Sequence, residues 1–158
     1  MQTFLPLPDY GESADQLDNT RLIKQAVEAK QILRTLTGES NGWAHHPAVR
    51  MWAGYEISLA SYGLAMCNEA ILRNFQLQEL HGWFNEKLVE MLSEGYPQEM
   101  PWWLGHEPFH RSHRSNLIRK DSGFYGPRLG HESPDLPYLW PISDGIRQRF
   151  APKACHPV

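Results

Sequence analysis

Cysteine is scarce in this chain of 158 residues: there are two, Cys67 inside an apolar helical run and Cys155 in the tail, so neither a disulfide framework nor a CxxC zinc pattern exists. Also missing is any run near the roughly 18 consecutive apolar residues of a membrane span, and the start MQTFLPLPDY lacks the basic region of a signal peptide. A cytoplasmic protein with no membrane partner is therefore expected. The charge imbalance is small, at −3, which argues against a nonspecific nucleic-acid coat but leaves room for a local basic face. Internal repeats, heptads, strand alternation and an HExxH pair are absent too. What remains is an all-α pattern suited to one compact domain over 1–158, expected to be monomeric. The bundle core spans about 13–126, preceded by an extended arm and followed by an irregular proline-rich strap over about 127–158.

The longest uninterrupted helical pattern is Ser13 to Leu36. Leu22, Ala26, Ala29, Leu33 and Leu36 recur at the spacing that keeps them on one apolar stripe, with Ser13 and Gln16 in the form of a capping box and Gly38 as the stop. Before it, TFLPLPDY is too rich in proline for a helix and reads as an arm tethered by Phe4, Leu5 and Leu7. Pro47 suits the first position of a second helix, preceded by His46 as a candidate N-cap and running to about Arg73. That helix is apolar over most of its circumference and belongs at the centre, so Glu56 within its apolar arc needs a partner. A third helix is marked by Leu77, Leu80, Phe84, Leu88 and Met91, with its charges facing out. Nine of the twelve prolines lie from Pro97 onward, so only one later stretch, Pro108 to Lys120, reads as helical. Tyr138, Leu139 and Trp140 then lay the strap over the bundle.

Three features could carry chemistry. On the first long helix Arg21, Gln25 and Glu28 fall along the edge of the apolar stripe, where a carboxylate is partly desolvated and a neighbouring arginine counteracts the effect on its pKa. From these residues alone the plainer reading is long side chains snorkelling off a core helix. Secondly, Arg111, Arg114, Arg119, Lys120 and Arg128 face the single acid Asp121, and with Ser112, Ser115 and Tyr125 they have the ingredients of a phosphate-contacting patch; a solvated basic face is the alternative. Thirdly, His110 and His113 at i and i+3 could, with Glu28 and His46, hold a divalent transition metal. The spacing is not diagnostic, and no cofactor is the first expectation.

The segments LIKQAVE (22–28), GW..HP.V..W..YE (42–56) and SHRSNLIRKDSGFYG (112–126) resemble the pyrimidine-dimer DNA glycosylase family, the phage endonuclease V-like enzymes, and are more similar still to a bacterial branch of it. The resemblance implies a compact helical domain acting on double-stranded DNA with a base lesion or an abasic site. It further implies attack of an N-terminal amine, here that of Met1, on the sugar C1′, giving a Schiff base that leads to strand cleavage. Glu28 aligns with the family's catalytic glutamate, and His46 and His113 are added as candidates that would share its cleft with Gln25. Arg21, Lys24, Arg114, Arg119, Lys120 and Tyr125 would bind the phosphates of a kinked duplex with a nucleotide extruded. The chain departs from the pattern at its start, where Met1 precedes Gln2 and no basic residue follows. Either Met1's own amine serves, or lyase chemistry is lost while a glycosylase or other activity remains. Two other readings stay open: a metal-dependent enzyme acting on a nucleotide or small molecule, and a non-catalytic binder of damaged or single-stranded nucleic acid through Trp102, Trp103 and the basic patch.

Overall fold

A computed structural model describes residues 1–142 and the backbone of 155–157. Asp9 opens the first helix, α1 (Tyr10–Gln16), its carboxylate accepting from the Glu12 N–H at 2.9 Å. The chain then leaves the helical region at Leu17, and Asp18 caps a new helix, α2 (Asn19–Leu36), by accepting from the Arg21 N–H at 3.0 Å. The single helix expected over Ser13 to Leu36 is thus two, and Ser13 is no cap. It lies inside α1, where its hydroxyl is bound to both the N–H and the carbonyl of Leu7. A local competition explains the break: the aspartate side chain satisfies orphan amide donors of a helix start, so the chain can turn there at low cost.

The second expected helix is divided in the same way. His46 caps α3 (Pro47–Trp52) through its Nδ1, and Gly54, at φ 87°, supplies the left-handed turn before α4 (Glu56–Leu72). Glu56 finds its partner in the Gly54 N–H at 2.9 Å. Helix α4 packs on α1, on α2 and on α5 (Gln78–Ser93), which confirms its place at the centre. The α4–α5 approach requires Gly63, because a Cβ there would lie 2.3 Å from the buried Phe84 ring. One charge of α5 does not face out: Lys87 is buried and pairs with Glu39 of the turn after α2 and with Glu90.

Among the described residues, helix α6 (Glu107–Lys120) and the short α7 (Ser122–Tyr125) complete the helices. The strap is bound to α6 by Ser115, Ser112 and Arg119, whose side chains meet the backbone of Leu136, Leu139 and Pro134. Tyr138 and Trp140 bury themselves on the bundle as expected. An antiparallel pair of three-residue strands, β1 (Leu139–Pro141) and β2 (Cys155–Pro157), stands where only irregular backbone was expected. Residues 143–154 and 158 of the strap lie outside the described residues. A contiguous core runs from Phe4 to Ile142. Leu22, Ala26, Ala29 and Leu33 of α2 are fully enclosed in it, and each buried leucine contributes about 1.5–3 kcal/mol. Among the described residues no helix is long and apolar enough to cross a membrane.

Candidate active site

The N-terminal arm is more than tethered. Its backbone threads a buried polar lattice in which the amides meet side chains of α2 and α6. The Gln2 N–H donates to Glu28 Oε2 at 2.8 Å, the Phe4 N–H to Gln25 Oε1 at 2.7 Å and the Leu5 N–H to His113 Nδ1 at 2.8 Å. Tyr62 Oη of α4 sits 2.9 Å from both the Phe4 carbonyl and Gln25 Oε1, and Trp52 Nε1 donates to Thr3 Oγ1 at 3.0 Å. The Leu5 peptide is gripped from both sides, because His110 Nδ1 lies 2.8 Å from the Leu5 carbonyl. An extended segment has no internal hydrogen bonds, so burying it demands such an external set.

This lattice delivers the first residues to the mouth of a cleft of about 530 Å³. Met1, Gln2, Arg21, Lys24, Gln25 and Glu28 line it, joined by Asp18 and Thr20 at the α2 start and by Lys120 and Asp121 at the α6 end. Glu28 is 7 % exposed, with Lys24 Nζ 3.8 Å from its Oε1. Arg21 is paired with Asp18 at 2.7 Å and lies over the Tyr125 ring. Burial works against the Asp18 carboxyl, but hydrogen bonds from Tyr125 and Arg21 hold its pKa below the ordinary value. The cleft is thus a carboxylate beside the chain's first residues, flanked by cations.

Not every expected residue reaches it. Gln25 does, but its amide oxygen is committed to the arm. His113 is fully enclosed behind Leu5, stacked on Tyr138 with ring centroids 4.7 Å apart, so it does not share the cleft with Glu28. Burial, and then neighbouring His110, push its pKa well below 6.5; since Nδ1 accepts, its proton sits on Nε2. His110 spends both nitrogens, on the Leu5 carbonyl and on the Gly105 N–H. His46 Nδ1 accepts from the Ala48 N–H at 3.0 Å as the α3 cap. Its pKa is lowered by burial and then by the positive Met1 amine, with Glu28 acting in the opposite sense, so His46 lies within the field of both groups although outside the cleft lining. The four-residue metal set Glu28, His46, His110 and His113 is not assembled: three imidazoles hold backbone groups, and among the described residues no three histidine, cysteine, aspartate or glutamate side chains converge.

The basic patch is largely consumed by structure. Glu132 accepts from Arg111 and from Arg114, and Arg114 also pairs with Glu107 and donates to the Pro6 carbonyl at 2.9 Å. Arg119 holds the strap, Arg128 stacks on Phe124 at 3.8 Å, and Tyr125 is buried with its hydroxyl bonded to Asp18. Trp103 is buried with its Nε1 donating to the Met51 carbonyl. Of the cations expected to bind phosphate, Arg21, Lys24 and Lys120 border the cleft. Glu132 went unnoticed in the sequence because it lies in the strap, remote from the arginines it neutralises.

A sequence profile of the pyrimidine dimer DNA glycosylase family matches residues 1–83. The matched stretch is more than half of the 158 residues and contains every cleft residue except Lys120 and Asp121. The match assigns this helical domain, with its carboxylate beside the N-terminal arm, to the DNA glycosylases at the level of the family. The chain is a member of the pyrimidine dimer DNA glycosylase family. Searches of the curated proteins and of the solved structures return no match.

Proposed function

We propose that this chain excises a damaged pyrimidine from duplex DNA through its N-terminal amine, with Glu28 as the group that serves the reacting sugar. The observation that carries this reading is the juxtaposition of the arm with Glu28: Gln2 N lies 2.8 Å from Glu28 Oε2 and Met1 borders the same cleft. The α-amine attacks C1′, the C1′–N glycosidic bond breaks with its electron pair leaving on the base, and the amine gives up a proton as the C1′–O4′ bond opens with its electron pair and a proton going to O4′, which leaves a cationic iminium beside the carboxylate. Proton transfer by Glu28 then supports elimination of the 3′ phosphate at the abasic sugar. Arg21, Lys24 and Lys120, which line the cleft, contact the flanking phosphates in this reading while a nucleotide leaves the stack.

Borohydride trapping on a duplex carrying a pyrimidine dimer, and on one with an abasic site, tests the mechanism. A covalent adduct is expected, and mass spectrometry of the trapped peptide identifies the attacking residue. Glu28→Gln keeps the side-chain shape but cannot accept a proton, so single-turnover cleavage should fall by about 100- to 10,000-fold with duplex affinity unchanged or slightly improved. Full activity of Glu28→Gln on both duplexes would refute the assignment.

A further inference from the structure

Among the described residues the most exposed aromatic side chain takes no part in the core and sits on a turn tied to α2, the helix of Glu28. Trp43 is 62 % exposed and holds φ at 61°, in the left-handed region that a bulky side chain rarely adopts. Both features cost free energy: the indole faces water, and the backbone is strained without a glycine to relieve it. Packing returns little, since its recorded ring contact is an edge-on approach to His46 at 5.9 Å.

The surroundings fix where the turn that carries this indole stands. The turn is tied to α2 by Thr35 Oγ1, which donates to the Gly42 carbonyl at 2.7 Å, and the His46 N–H donates to the Trp43 carbonyl at 2.8 Å. Thr35 follows Glu28 by seven residues, so the two share one face of α2 about 10 Å apart. His46 links the indole to the site from the other direction, since it feels the charge of both the Met1 amine and Glu28. Along this face the order is therefore cations, then carboxylate and arm, then the turn that carries the exposed Trp43.

We infer that Trp43 is the base-contacting residue of this site: its indole stacks on a nucleobase displaced from the duplex beside the lesion. The inference rests on the proposed glycosylase reading. Glycosylases take a nucleotide out of the stack, and an unstacked base loses its π neighbours. A rigid exposed indole held along the same helix face replaces them. The strain at φ 61° has the same explanation, since the turn presents the ring outward instead of folding it onto the core.

The test compares Trp43→Ala, Trp43→Phe and Trp43→Gly in binding to a duplex with a pyrimidine dimer and to the same duplex undamaged, at several salt concentrations. Alanine and glycine should weaken binding to the damaged duplex by about 5- to 150-fold, the fold-change of a lost base–aromatic stack, with undamaged-duplex affinity and the salt slope unchanged. Phenylalanine should retain most of the discrimination. Trp43→Gly removes the backbone strain, so its melting temperature should equal or exceed the parent's and separates recognition from folding. Equal affinity of parent and Trp43→Ala for the damaged duplex overturns the inference alone, as does an equal loss on both duplexes or a lowered melting point of Trp43→Gly. A parent protein that forms no trapped adduct and incises neither the dimer-bearing nor the abasic duplex overturns the glycosylase reading, and the inference with it.

Discussion

Arg114 and Lys120 are two turns apart at most on α6, carry the same charge and look interchangeable in the sequence, yet they do different work. Arg114 is 13 % exposed in its side chain and answers to Glu107, Glu132 and the Pro6 carbonyl, so it is the link between α6, the strap and the arm. Lys120 lies exposed at the cleft edge. Replacing Arg114 by alanine leaves buried acceptors unpaired and should lower unfolding free energy by about 1–3 kcal/mol, with the salt dependence of DNA binding unchanged. Lys120→Ala should leave the melting point alone and reduce the slope of log affinity against log salt by about 0.9, the signature of one lost phosphate contact. Urea unfolding and binding titrations on both variants check the pair, and a reduced slope in Arg114→Ala without loss of stability would reverse the assignment. An ion pair screened by solvent is worth little, which is why exposure decides between the two residues.

Among the elements, the contact between α4 and α5 is the least tolerant. Gly63 was unremarked in the sequence because a glycine inside a helix costs about 1 kcal/mol relative to alanine and usually invites substitution. Here a Cβ would stand 2.3 to 2.7 Å from three atoms of the Phe84 ring, and Phe84 is fully enclosed. An aromatic ring in a packed core cannot yield by that much without moving its helix, so overpacking outweighs the gain in propensity. Gly63→Ala should therefore destabilise the protein by about 1–3 kcal/mol, measurable as a lower urea midpoint. A variant as stable as the parent would mean that α5 can shift outward freely. The same scale explains the broken helices. Asp18 and Gly54 are ordinary punctuation marks, but an uninterrupted apolar stripe on either side outvoted them in a periodicity argument.

For the molecule as a whole, the arm is the part whose order depends on pH. His113 Nδ1 accepts from the Leu5 N–H and His110 Nε2 from the Gly105 N–H, so both imidazoles must be neutral in the folded state. Burial, in each case the largest cause, lowers both pKa values below 6.5. In the unfolded chain they titrate near 6.5, so below that pH the unfolded state binds more protons and stability falls as pH falls. The contribution is fully present above about pH 6.5. It declines below that by up to about 1.4 kcal/mol per pH unit for each histidine until its folded-state pKa is reached. Unfolding midpoints at pH 7 and pH 5 should show this loss, and His113→Asn, whose Oδ1 can accept from the Leu5 N–H without titrating, should show less of it. An identical pH dependence in parent and variant would remove His113 from the account.

The sequence by itself determined the all-α class, the apolar faces of α2 and α4, the His46 and Pro47 start of α3, and the placing of Glu28 at the edge of a core stripe. Each is a matter of local spacing, propensity or capping, which neighbours along the chain decide. Only the tertiary structure decided which polar groups are free to act. His113 and His110 meet the arm across 108 and 105 positions, Arg114 meets Pro6 across 108, and Glu132 reaches α6 across 18. A histidine that caps a buried amide and one that faces a ligand have the same helical spacing, and a neutralised arginine reads like a free one. Burial and partners distinguish them, and these come from chain segments that no window of periodicity brings together.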